Sequence, residues 1–322
     1  MVLRLVIAAC VLSVPIAADA QSAKMHRIGY LGSSSATVGF HIAFRDGLRE
    51  AGWAEGQNVQ IEYRFAGDNA DRLARMAAEL VRLKVDLIVA QPTRAAVAAK
   101  KATATIPIVM VNAGDPDRIG LVASLAQPGG NVTGTAFSVG LTTIVKGLEL
   151  LKEAIPGLRV VAVLSNPANP AESNAIEGLR KAAKNLELQL EHVRVIGPEQ
   201  FDRAFAEMRG KRAEALLVVA EALFIVHASE IANLALKNRL PSMHGVREGT
   251  EAGGLMSYGP SLRQSSRRAA TFADKILRGA KPSELPVEQP TRFELVVNRR
   301  TAKELAATIP QSFLVRADAV ID

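Results

Sequence analysis

Apolar and polar positions along the chain alternate between two periods. Arg27-Ile-Gly-Tyr-Leu-Gly32 is a short apolar run that reads as a strand ending in Ser33-Ser34-Ser35. Over residues 37–51, Phe40, Ala43, Phe44, Gly47 and Leu48 recur at helical spacing. Residues 59–65 alternate as a second strand. A helix is then expected over 72–83, a buried strand over 85–90, a helix over 92–102 and a strand over 106–111. Apolar strand-length runs flanked by helices signal βαβ units and a parallel sheet. A new round begins at Arg159: strand 160–164, helix 172–185, strand 188–195, helix 199–209 and strand 215–220. A helix near 226–238 and an extended segment after Pro241 complete it.

The two rounds resemble each other. Phe44-Arg-Asp-Gly-Leu-Arg49 matches Ala175-Ile-Glu-Gly-Leu-Arg180, and the preceding strands end at Leu31 and Leu164. Val85-Asp-Leu-Ile-Val-Ala90 answers Glu214-Ala-Leu-Leu-Val-Val-Ala220, and Pro107 answers Pro241, an offset of 134 residues. The same strand–helix order at a nearly constant offset predicts an α/β protein of two similar Rossmann-like lobes with parallel sheets, by duplication or by common architecture. Crossings between lobes are expected at 135–143, near 250–254 and in the proline-bearing stretch 282–290, a three-segment hinge. Lobe 1 would then comprise 26–137 plus 252–284, and lobe 2 138–251 plus 285–322.

A length of 322 residues suits two lobes, and 48% hydrophobic with 22% charged residues is an ordinary globular composition. Residues 1–20 read as a signal peptide. Arg4 supplies the positive start, 5–18 are free of charge, and Ala18-Asp-Ala20 has the small-x-small cleavage pattern. A second reading takes Ile7-Ala-Ala-Cys10 as a lipobox with Cys10 lipidated. Cleavage at Ala20 would leave no cysteine, and no later stretch reaches the ~18 apolar residues of a membrane span. The net charge of +7 is spread over the chain with no basic arm, so no nucleic acid is expected as partner.

Enzyme signatures are missing. Gly29 and Gly32 do not complete a dinucleotide loop, no G-x-S-x-G surrounds Ser138 or Ser257, and the five histidines form no close pair. Neither cofactor nor metal is expected. What remains is polar chemistry at predicted strand ends, where open parallel sheets bind ligands. The first half places Ser33, Ser34, Gln91, Thr93, Asn112 and Asp115 there, and the second places Ser165, Asn166, Asn169 and Glu221. Tyr258 marks another strand end. Helix caps and Asx-turns compete with ligand contact for most of these residue types.

At these residues the chain resembles a known family. Gly52-Trp-x-x-Gly56-Gln-Asn-Val59, Gly114-Asp-Pro116, Pro128-Gly-Gly-Asn-Val-Thr-Gly134, Asn166-Pro-x-Asn-Pro170, Gly253-Gly-Leu-Met-Ser-Tyr-Gly259 and Leu285-Pro-Val-Glu-Gln-Pro290 are similar to the ABC-transporter substrate-binding proteins of the tryptophan/tyrosine-permease type. The resemblance runs from about His26 to Asp318. It implies a periplasmic-binding-protein type I fold, no enzymatic activity, and cleft positions at Ser33, Ser34, Thr93, Asp115, Asn166, Asn169 and Tyr258. Gln91 and Ser138 lie where the sequence departs from the family pattern, and with Glu221 they complete the candidate set.

The expected function is that of a periplasmic solute receptor, a monomer that closes on a small-molecule ligand and delivers it to an ABC permease in the inner membrane. A sensory partner that docks on a membrane receptor needs the same features, and an exported enzyme is a third reading. The expected solute is an amino acid or related small acid. Helix starts behind Ser33, Ser34 and Thr93 suit a carboxylate. Asp115, with Glu221 in reserve, suits an ammonium. Those acids would repel phosphate or sulfate, and only 4% aromatic residues argues against stacking a sugar. Tyr258, with Phe137 or Phe224, could cover a side chain.

Overall fold

Strand β1 (His26–Gly32) is buried over its last five residues, as a strand covered on both faces requires. The computed structural model describes residues 25–32, 39–67, 69–137, 140–168 and 172–322. The expected signal peptide with Cys10, and the candidates Ser33, Ser34, Ser138 and Asn169, lie outside the described residues. After β1 come α1 (Phe40–Glu50), β2 (Val59–Phe65), α2 (Ala70–Arg82), β3 (Leu87–Gln91), α3 (Thr93–Ala102), β4 (Ile108–Gly114) and β5 (Val132–Phe137). Their strands form a wholly parallel sheet in the order β2-β1-β3-β4-β5.

The second body begins with α4 (Leu141–Ala154), β6 (Val160–Ser165), α5 (Glu172–Asn185), β7 (Gln189–Arg194), α6 (Phe201–Gly210) and β8 (Ala215–Val218). It continues through α7 (Ala222–Val226), α8 (Ala228–Lys237), β9 (Ser242–His244), α9 (Arg247–Glu251) and β10 (Met256–Pro260). The chain then runs through α10 (Leu262–Leu277), β11 (Phe293–Asn298), α11 (Arg299–Leu305), α12 (Gln311–Leu314) and β12 (Ala319–Ile321). The second sheet is ordered β7-β6-β8-β9-β10-β11-β12. Its first five strands repeat the order of the first sheet, β10 answering β5. Only the β10–β11 pairing is antiparallel among the described strands.

The helix after each fifth strand crosses to the other body. α4 packs on β9 and β10, whereas α10 packs on α1 and the first sheet. The repeated glycines sit where these helices arrive. A Cβ on Gly47 would lie 2.7 Å from the Arg267 carbonyl of α10, and one on Gly178 2.2 Å from Leu141 of α4. The matching Gly-Leu-Arg segments therefore mark one helix-on-helix approach made twice.

The segment boundaries differ from expectation at two places. Residues 256–260 belong to the second sheet, because β10 pairs with both β9 and β11. The second crossing falls at 260–262 instead of 250–254. Residues 285–288 remain with the first sheet: Glu288 exchanges backbone bonds with Gly134 and Ala136, and Val287 N–H donates to Leu125. The chain returns to the second body between Glu288 and Phe293.

Candidate functional site

Both sheets present their C-terminal edges to the crossings: β5 and β10 run out there, and β11 starts beside the end of β10, with Pro260 opposite Phe293. On the first edge, β3 ends at Gln91. Its side chain turns into the lobe, accepting from Tyr30 Oη and donating to Ser266 Oγ at 3.2 Å. Both ends of that amide are engaged, so Gln91 ties β1 and β3 to α10. Thr93 opens α3 and accepts from the Gly114 N–H at 2.8 Å, which joins this helix start to the end of β4. α3 has no side-chain cap, so its leading N–H groups are open to a carboxylate.

The end of β4 turns through two non-glycine residues in the left-handed region, Asn112 at φ 55° and Asp115 at φ 40°. This conformation costs Asn and Asp less than other residues. Asp115 is exposed, and its carboxylate has no hydrogen bond or ion pair among the described residues. Asn112 is buried. Its N–H donates to Thr135 Oγ1 at 3.2 Å and its Nδ2 to the Leu262 carbonyl at 3.4 Å, while its Oδ1 is unpartnered.

On the second edge the structure brings Asn166 and Glu221 together. Asn166 Nδ2 donates to Glu221 Oε1 at 3.3 Å, and its Oδ1 accepts from the Ala168 N–H. Glu221 caps α7 through the Leu223 N–H, and burial raises its carboxyl above the usual range. Tyr258 is half-buried and stacks on Phe293, ring centroids 6.1 Å apart. Ser165 instead joins a network behind the edge. Its Oγ donates to Glu172 Oε1 at 3.0 Å, and His192 and Arg194 reach the same oxygen at 2.9 Å each.

The structure adds a group that sequence reading passed over. Among the described residues, six buried side-chain polar atoms lack a hydrogen-bond partner. Four belong to α9 and the strands beneath it: Glu248 Oε2, Thr250 Oγ1, Ser257 Oγ and Glu294 Oε1. Register puts Ser257, Glu294 and His244 on one sheet face, which α9 covers. Arg247 pairs with Glu251 at 2.8 Å and Glu294 at 3.4 Å, and Arg263, just past the crossing, pairs with Glu251 at 3.3 Å. Glu248 is left without an ion pair, and burial pushes its carboxyl up to about 7. The signal for it is the charged run Arg247-Glu-Gly-Thr-Glu251 directly after a strand, of which only the last two residues fall in the expected crossing near 250–254. Among the described residues no cluster of His, Cys, Asp and Glu is arranged to hold a metal ion.

Two α/β bodies of like topology joined by three chain crossings define a two-lobed binding protein of the periplasmic-binding-protein type I architecture. Residues 36–321 match the ABC transporter substrate binding proteins, and the chain belongs to that family. It is 28% identical over 262 residues to a tyrosine-binding protein of Clostridioides difficile, covering 81% of this chain and 75% of that one. It also superposes on the ABC domain in complex with L-Trp from Streptococcus pneumonia with a TM-score of 0.80 at 25% identity, covering 93% of this chain and all of the other. The ligand-free, open structure of a substrate binding protein with adhesive properties from Clostridium difficile gives a TM-score of 0.70 at 26% identity, over 92% and 99% of the two chains. This chain is a substrate-binding protein of an ABC transporter and not an enzyme. Proteins of this kind bind small molecules and work with ABC permeases, generally in the periplasm or outside the cell.

Proposed function

We propose that this chain binds an aromatic amino acid, tyrosine or tryptophan in kind, and delivers it to a permease for import. It does so as a periplasmic monomer released from its signal peptide at Ala20. One observation carries the reading: among the described residues neither Asp115, at the end of β4, nor Glu248, on α9 after β9, has an ion-pair partner. At buried Glu248 an unpaired charge is costly, and a ligand ammonium relieves it, whereas exposed Asp115 adds a weaker attraction. The open start of α3 beside Thr93 suits the ligand carboxylate, and the Tyr258–Phe293 stack suits an aromatic side chain. Asn166, held by Glu221, supplies amide chemistry at the second edge. The ligands of the two relatives, tyrosine and tryptophan, agree with this chemistry.

Calorimetry on refolded, ligand-stripped protein tests the assignment. Tyrosine or tryptophan should bind, whereas N-acetyltyrosine, which lacks the ammonium, should not. Glu248→Gln should weaken binding by about 2–5 kcal/mol, the range for breaking a desolvated charge pair. Asp115→Asn, at an exposed position, should cost about 1 kcal/mol or less. Equal binding of the acetylated compound, or binding of sugars or oxyanions alone, would refute the reading.

A further inference from the structure

The charge excess is confined to one lobe. Residues 25–137 and 261–292, the first body, contain 19 Lys or Arg against 13 Asp or Glu. Residues 140–260 and 293–322, the second body, contain 18 of each. Within the first body the excess gathers on one flank. α2 and α3 pack side by side on the same sheet face, burying Leu73, Ala77 and Leu80 from one and Ala95, Ala96 and Ala99 from the other. On α2, Arg72, Arg75 and Arg82 recur on the side opposite that apolar stripe, and Lys84 follows the helix end. On α3, Arg94 and Lys101 are seven residues apart and also point outward. All six are exposed, and none takes part in an ion pair among the described residues. The acids of the two helices are Asp71 and Glu79, and Glu79 is already paired with Arg64.

From this we propose that the α2–α3 flank of the first lobe is a membrane-facing surface that rests on anionic phospholipid headgroups. The six cations are spread over a helix pair instead of converging on a pocket, which suits a laminar negative charge better than a single acidic ligand. No aromatic side chain interleaves with them on α2 or α3, and base stacking would need one. Arg82, Lys84 and Lys101 lie at the helix ends away from the edge where the crossings meet, whereas Arg72 and Arg94 sit in the first turns beside it. Lipid contact would hold the receptor in the plane of its membrane-embedded permease, shortening its search. This inference is independent of the ligand assigned above.

Vesicle flotation tests it with the intact protein and no ligand. The protein should float with vesicles containing phosphatidylglycerol and stay in solution with pure phosphatidylcholine. Partitioning should collapse at roughly 0.5 M salt, where charges are screened within a few ångströms. Arg72→Glu, Arg75→Glu and Lys101→Glu together should lower partitioning by about tenfold or more, given the effect of each basic residue near an anionic surface. Lys184→Glu, Arg203→Glu and Arg239→Glu on the second lobe change total charge equally and should leave most of the binding intact. Equal binding to neutral vesicles, no binding to either, or equal loss in both variants would overturn the proposal. So would binding that appears only when vesicles carry the permease, which would assign the flank to a protein.

Discussion

Replacing Glu248 with Gln should expose a pH dependence that the wild type conceals. Glu248, buried at Oε2, is held near pH 7 by burial, and His244 on the strand below is pushed down to about 4 by the same cause. A carboxyl raised above its unfolded value of 4.5 contributes stability that is full below 4.5 and lost as pH rises through 7. An imidazole depressed below its unfolded value of 6.5 contributes stability that is full above 6.5 and lost as pH falls toward 4. Each displacement is worth about 3 kcal/mol, at roughly 1.4 kcal/mol per pH unit. Between pH 4.5 and 6.5 the two slopes oppose and cancel. In Glu248→Gln only the histidine remains, so the variant should lose about 3 kcal/mol relative to wild type on acidification across that window. Urea titrations followed by the fluorescence of Trp53, the single tryptophan, measure both proteins at each pH. Other carboxylates titrate alike in both, so the difference isolates Glu248. A difference that is constant with pH, or that grows toward alkaline pH, would refute the account.

Gly259→Ala should destabilise the second lobe by about 2 kcal/mol or more, because its Cβ would fall 1.8 Å from the Gly245 carbonyl and neither backbone has room to yield; urea unfolding reads it directly. At Glu172, burial pushing the carboxyl up is outweighed by hydrogen bonds from Arg194 and Ser165, leaving it below the usual range. Glu172→Gln should therefore cost about 2 kcal/mol at pH 7, with the gap to wild type closing as pH falls through the carboxyl's lowered value.

The two rounds of strand and helix were legible because their apolar periods are long and regular. The predicted helix 172–185 coincides with α5, and Gly47 and Gly178 hold equivalent places. The second half of β5 falls in the expected crossing 135–143, because Val132-Thr-Gly-Thr-Ala-Phe137 is half polar. Its threonines are buried on partners far away in sequence: Thr133 donates to the Leu285 carbonyl, and Thr135 accepts from the Asn112 N–H. The same reason hid the direction of Gln91. A polar residue ending a strand reads as ligand-facing until Ser266, 175 residues on, is seen to accept its proton. Thr93 and Asp115 were legible as edge residues because a helix start and an Asp-Pro turn are local signals. Glu248 was not, since its burial is set by β10 and β11 folding beneath α9.

The exchange of crossing helices sets the order in which the chain can fold. The first lobe's core joins Ile28, Tyr30 and Phe44 to Ala269, Ala270, Phe272 and Ile276 of α10. Its last strand is edged by Glu288. During synthesis, 137 residues deliver every strand of the first sheet, but the helix that seals one face emerges only after most of the second lobe. A chain stopped before residue 262 would display an open apolar sheet face with Gly47 lying bare in its groove. The lobe encoded first is therefore completed late, and a cut near residue 138 leaves it without α10, the helix that seals it.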